Sequence, residues 1–160
     1  MSTDLSSFLD GVDYPMFVVT ARRDGDHAGC LVGFATQVSI EPARFFVGLS
    51  VANHTYDVAC DATTLAVHLL ASDQIELAAL FGSQTGDEID KFALCRWHEG
   101  PGGIRVLSDA PSWMVAAVLD RIPLGDHVGF LLDPVEVHRD GRSDFLTFEQ
   151  VKGLSPGHPA

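Results

Sequence analysis

Basic residues are scarce in this chain. Ten Lys and Arg stand against twenty-two Asp and Glu, a formal net charge of −12 over 160 residues. That balance leaves no basic stripe of the kind a nucleic-acid backbone requires, and it disfavours anionic membrane surfaces. No apolar run approaches the roughly 20 residues that a membrane-spanning helix needs. Residues Met1 to Asp10 lack a positive n-region and an apolar h-region, so no secretory signal is visible and a cytoplasmic location is expected. Cysteine is limited to Cys30, Cys60 and Cys95, odd in number and far apart. They give neither a zinc spacing nor a disulfide framework, and buried free thiols are expected. The histidines show no metal spacing either. Missing too are Gly-x-Gly-x-x-Gly, Gly-x-Ser-x-Gly and His-Glu-x-x-His. Low-complexity segments and internal repeats are absent.

What is present describes one soluble globular domain over residues 1–160, with a core at about 12–151 and a loose tail at 153–160. Hydrophobic residues make up 46% of the chain, enough to bury a substantial core at this length. Strand-like runs dominate: Pro15 to Ala21, Gly29 to Ile40, Phe45 to Val51, Leu65 to Leu70, Trp113 to Ile122, Asp126 to Val137 and a last one at Phe145 to Val151. The polar loop Arg22 to His27 turns the chain back, and Glu41-Pro42 breaks the second run. Gly33 inside that run marks a bulge or a place where something approaches the backbone. Asn53 to Ala59 is expected to form one or two helical turns. A longer helix is expected after Ser72 as N-cap, with Asp73 and Glu76 in its first turn and Gly82 as its stop. Asp87 to Glu99 is irregular. Many strands with few helices indicate a barrel or a sandwich.

Five segments in order carry a resemblance. They are Tyr14-Pro15-Met16-Phe17-Val18-Val19-Thr20-Ala21; Gly29 to Ala35 with Thr36-Gln37-Val38-Ser39-Ile40-Glu41-Pro42; and Phe46 to Ser50 with Asn53-His54-Thr55 and Leu65 to Leu70. Glu76-Leu77-Ala78 with Phe81-Gly82 and Asp90-Lys91-Phe92, and then Gly125-Asp126-His127, complete the set. Over residues 12 to 138 this order resembles the flavin reductase-like family with an FMN-binding split barrel. The resemblance implies a mainly β, Greek-key split barrel with one or two short flanking helices. It implies no metal, FMN or FAD as cofactor or substrate, and a homodimer with flavin at the subunit interface. NADH or NADPH would deliver hydride to flavin N5, the cofactor carrying the chemistry.

Carried over by position, Leu31, Val32, Gly33, Phe34 and Ala35 run alongside the isoalloxazine. Family members often have Thr-Ala-Asn/Ser there; with Leu31-Val32-Gly33 instead, contact rests on backbone groups, and Gly33 permits close approach. Ser50, Asn53, His54 and Thr55 are phosphate-site candidates, a loop and helix start with hydroxyls and N–H donors; a plain helix cap is the other reading. No Lys or Arg occurs from Phe45 to Asp90, whereas Asp57, Asp61, Asp73, Glu76, Asp87, Glu88 and Asp90 do. A phosphate charge is then met by amide dipoles and protonated His54, with Arg22, Arg23 or Lys91 arriving from elsewhere. Flavin affinity is expected to weaken as pH rises through the titration of His54. Asp126 and His127 are the catalytic candidates at the nicotinamide or flavin edge, Asp126 fixing the imidazole tautomer; a strand-entry turn is the alternative. His68, in an apolar strand, reads as a hydrogen-bonded core histidine before a ligand, and Trp97 as packing before a ligand cover.

The function expected is NAD(P)H-dependent reduction of FMN or FAD, with a separate monooxygenase as the acceptor of reduced flavin. Two alternatives are an FMN-holding electron-transfer flavoprotein and a non-catalytic binder of haem or another planar ligand, with His54 or His68 as axial ligand.

Overall fold

The computed structural model describes residues 3–82 and 90–154. Asp87, Glu88 and most of the tail expected to be loose lie outside the described residues. Seven strands form one antiparallel sheet: β1 (Phe17–Arg23), β2 (Asp26–Val32), β3 (Ala35–Ser39), β4 (Arg44–Ser50), β5 (Thr64–Leu69), and two long strands that will be called β8 (Ser112–Pro123) and β9 (His127–Arg139). Their order is β2-β1-β5-β8-β9-β4-β3. Between β5 and β8 the chain adds a two-stranded ribbon of β6 (Trp97–Glu99) and β7 (Arg105–Leu107). Among the described residues three α-helices, α1 (His54–Ala59), α2 (Ile75–Gly82) and α3 (Phe148–Val151), and two short 3-10 helices at Lys91–Leu94 and Pro101–Gly103 accompany the strands.

The sheet has to roll. β2 and β3 are its two opposite edges, yet only Gly33 and Phe34 separate them in sequence. A flat sheet of this width measures about 29 Å from edge to edge, whereas the link from Val32 to Ala35 reaches at most about 11 Å. The curled sheet is not closed by hydrogen bonds between these two strands, but the covalent link brings its edges together at one corner. Register shifts between Val115 and Ala116 and between Val118 and Asp120 add local twist to the long β8–β9 hairpin.

The interior holds Phe17, Val19 and Ala21 of β1, Cys30 and Val32 of β2, Leu49 of β4, and Phe130 and Leu132 of β9. Val58 and Ala59 of α1 plug it. The outer face of β1 and β2 is covered as well: Met16 and Val18 pack with Ala78 and Phe81 of α2 and with Val151 of α3. Two covered faces explain why Phe17 to Ala21 of β1 are all buried rather than alternately so, with Thr20 as the one polar member, its hydroxyl donating to the Arg105 carbonyl. Each fully buried Leu or Phe contributes roughly 2–3 kcal/mol by area.

Several expected boundaries move. The run Gly29 to Ile40 is two strands on opposite edges, split at Gly33-Phe34. The hairpin joining β1 and β2 is tighter than the expected loop, with Arg22 and Arg23 paired in the ladder to His27 and Asp26. Helix α2 starts at Ile75, not beside Ser72, whose hydroxyl is taken by Asp144. Of the two expected acids only Glu76 lies in the first turn. The last expected strand is not one: Phe145 and Thr147 make single bridges to Ala71 and Pro15, and the chain then turns into α3. A capping box of Thr147 and Gln150 starts that helix, with the Thr147 N–H donating to Gln150 Oε1 at 3.1 Å. Of the three free cysteines Cys30 is buried, and Cys60 and Cys95 are half-buried.

Candidate functional site

The covalent corner of the sheet gathers much of the expected site. Strand β4 ends at Ser50, which pairs in register with His127, the first residue of β9. Beyond the ladder, the Val51 N–H donates to the Asp126 carbonyl at 3.0 Å and fixes one loop on the other. The Ser50 hydroxyl accepts from the Ala52 N–H at 3.2 Å, and its carbonyl accepts from the Asn53 N–H at 3.1 Å. Asn53 then caps α1, its Oδ1 accepting from the Thr55 N–H at 2.9 Å. From the other side, the Phe34 carbonyl accepts from the Gly48 N–H at 2.7 Å as the chain crosses from β2 to β3. The Phe34 ring, 60% exposed, lies 4.9 Å from the His127 ring, centre to centre.

Asp126 Oδ1 sits 2.8 Å from His127 Nδ1. An ionised carboxylate only accepts, so Nδ1 carries the proton and Nε2 is the acceptor nitrogen of the neutral ring. Phe34, Ser50, Asn53, Asp126 and His127 therefore share one corner. His54 opens α1 next to Asn53.

Other expected residues are placed differently. Leu31 points to the outer face and packs at Gly82 of α2, while Val32 points into the interior. The space a Cβ would fill at Gly33 is already taken, with the Tyr14 ring 2.8 Å away, so the close approach on that side is made by the protein itself. Ala35 is half-buried at the start of β3. Thr55 is buried and its side chain meets the Cys30 thiol, which burial pushes up to about 11. Arg23 pairs with Asp26 and Asp61 and donates to the Asp57 carbonyl. Lys91 is buried, its Nζ donating to the Gly29 and Phe81 carbonyls at 3.1 and 3.2 Å, and burial lowers its pKa.

His68 is a core histidine, as its apolar setting suggests. The Leu107 N–H donates to its Nε2 at 3.0 Å, so Nδ1 carries the proton and donates to the Val18 carbonyl at 2.8 Å. With both nitrogens taken inside the fold, it is no axial ligand. Trp97 packs: its indole N–H donates to the Phe92 carbonyl at 3.2 Å.

Two contributors escaped the sequence. Gly48 makes room for Phe34, since a Cβ there would stand 3.3 Å from the Phe34 Cβ. Arg121 of β8 donates to the Ala59 and Ala62 carbonyls and supplies the cation at the C-terminal end of α1. Local spacing could reveal neither, because each acts across strands. Two cavities open elsewhere, one of about 940 Å³ between α2 and residues 93–96 and an apolar one of about 130 Å³ beside Phe17, Phe45 and Trp113. No corner residue lines either one.

The chain is similar to an FMN reductase (NADH) of Pseudomonas syringae, 24% identical over 140 residues that cover 88% of this chain and 78% of that protein. It is also similar to an NADH:FMN oxidoreductase of Rhodococcus erythropolis, 31% identical over 69% of this chain and 56% of the other. Among solved structures, an NADH:FAD oxidoreductase of Streptomyces globisporus has the same fold, with a TM-score of 0.80 at 19% identity, over 99% of this chain and 94% of that one. The model of the flavin reductase like domain matches residues 9–153. The chain belongs to the flavin reductase-like domain family.

Proposed function

We propose that this chain is an NAD(P)H-dependent flavin reductase that acts on FMN or FAD at the Gly33-Phe34 corner. The observation that carries the location is the meeting of three separate segments there: the β2–β3 crossing, the Ser50–Thr55 loop and the Asp126-His127 turn. Its residue chemistry suits a flavin. Phe34 and His127 form an aromatic wall beside the crossing backbone of Leu31 to Ala35. The Ser50 hydroxyl already accepts one hydrogen bond, so its own proton remains for a ribityl or phosphate oxygen. Asn53 and His54 complete the proposed phosphate end; Thr55, expected there too, is turned inward onto Cys30.

A bound flavin supplies hydride acceptance at N5 from reduced nicotinamide. The protein's part is orientation. Asp126 holds the His127 ring, and Nε2 of that ring offers an acceptor toward the ligand edge. FMN reductases that use NADH among the relatives support the reaction class. A homodimer is supported by apolar side chains left exposed on β3 and β9, among them Val38, Val135 and Val137. Within the described residues no helix is long and apolar enough to cross a membrane. The proposed role is to feed reduced flavin to a separate monooxygenase in the cytoplasm, and a trigonelline monooxygenase reductase component among the relatives supports the monooxygenase.

NADH and NADPH oxidation with and without added FMN or FAD tests the proposal. Oxidation that depends on added flavin is the expected result. Flavin uptake with no nicotinamide oxidation would point to an electron carrier, and no uptake from excess flavin would defeat the assignment.

A further inference from the structure

In a chain with twenty-two acids and ten bases, most surface cations should find a carboxylate. Arg23, Arg44, Arg96, Arg142 and Lys152 do. Arg22 and Arg105, like Arg121 and Arg139, make no ion pair among the described residues; what sets these two apart is that both act on one histidine, His27. Arg22 and His27 are cross-strand partners near the tip of the β1–β2 hairpin. Arg22 Nη1 donates to the Gly102 carbonyl at 3.1 Å, and its guanidinium lies against Gly103, two residues before Arg105. The Arg105 guanidinium is 4.1 Å from the Trp97 ring centre and 5.0 Å from that of Phe92, whose ring also meets His27 at 6.3 Å.

Three physical points follow. The ring contacts use none of the N–H donors of Arg105, which leaves its terminal nitrogens to take an anion. Two like charges that converge on one histidine cost energy unless something offsets them. His27 registers that field: burial first, then Arg105 and Arg22, keep its pKa below the usual histidine value, against the opposing pull of Glu99 and Asp26. The Arg105 Nε and the His27 Nδ1 are also buried with no hydrogen-bond partner.

We propose that Arg22, His27 and Arg105 form an anion site that takes a phosphate monoester, separate from the Ser50–Thr55 loop and independent of the flavin proposal. Guanidinium forks match phosphate oxygens in pairs, and Trp97, 38% exposed, borders the site. The phosphate is either free phosphate or the 2′-phosphate of NADPH.

Trp97 reports on the site directly once Trp113→Phe removes the only other tryptophan. Inorganic phosphate, NADP⁺ and NAD⁺ are titrated against its fluorescence without flavin, at low and high salt. A second measurement follows the His27 ring by NMR in the unmodified chain. Saturable binding of inorganic phosphate is expected, weakened about tenfold by Arg22→Gln and by added salt, with the His27 titration moving to higher pH when phosphate is bound. NADP⁺ competing with phosphate while NAD⁺ does not identifies the 2′-phosphate as the source; phosphate binding without that competition identifies free phosphate. No saturable response to phosphate or NADP⁺, or binding that Arg22→Gln leaves within twofold, overturns the site. Arg22 is exposed, so its replacement leaves the core intact. Because no flavin is present, failure here leaves the reductase proposal standing, and loss of flavin reduction leaves this one standing.

Discussion

His68 and His127 share one arrangement at Nδ1 and differ in everything around it. Both protonate that nitrogen toward an oxygen at 2.8 Å. His68 does so with no exposure, and Leu107 closes its second nitrogen, so the ring is a fixed bridge joining β1, β5 and β7. His127 does so at a rim, against an Asp126 side chain that is 73% exposed, with an aromatic neighbour from another strand. Burial turns an imidazole into structural cement; partial exposure with a single partner leaves it available for chemistry. A carboxylate this exposed adds little to stability, so the proposed role of the Asp126–His127 pair is one that activity, not unfolding, has to test.

Replacing the bridge should produce the largest effect. His68→Leu leaves the Leu107 N–H buried without its partner and takes one donor from the Val18 carbonyl, and a loss of about 2–5 kcal/mol is expected in denaturant unfolding. A loss below 1 kcal/mol would remove the contrast between the two histidines.

Acid comes next. Burial holds His68 down to about 4 from an ordinary 6.5, so the unfolded chain takes up a proton that the folded chain refuses. Stability is therefore full above the ordinary value and falls as pH drops from about 6.5 toward 4, by up to about 3 kcal/mol. Unfolding measured across that window should show the fall, and His68→Gln should flatten it.

At the rim the effect is expected on activity rather than on stability. His127→Ala should change stability by less than about 0.5 kcal/mol, while kcat/KM for flavin reduction by NADH falls about tenfold, a loss of about 1.4 kcal/mol. Unchanged kinetics would reduce His127 to a strand-entry residue. Smallest is Ser50→Ala, expected to weaken FMN binding by about fivefold in a fluorescence titration, roughly 1 kcal/mol for one hydrogen bond.

Much of this was legible in the chain. β-rich runs bounded by Gly and Pro located the main strands, because two covered faces write long apolar stretches such as Phe17 to Ala21. Asn53 as a cap and Asp126-His127 at a strand start were local signals, and both stand at the corner. The edges of legibility are equally physical. Val32 and Ala35 look like one strand because nothing local says that two residues cross from one edge of the sheet to the other. The Thr147–Gln150 capping box lies among Phe145, Leu146 and Val151, which suit a strand equally well. Ribbon strands of three residues, Trp97–Glu99 and Arg105–Leu107, are too short to show periodicity. Arg121 capping α1 joins residues about sixty positions apart, beyond any window.

The two-residue crossing also makes the site a seam. β2 and β3 are the strands with one unpaired edge each, where hydrogen-exchange openings should begin, and Gly33-Phe34 ties their ends together. A molecule held at that tie fastens both edges at once. Flavin should therefore slow amide exchange in β2 and β3 together, strands at the two extremes of the ladder, while the already paired centre of β5 and β8 changes least.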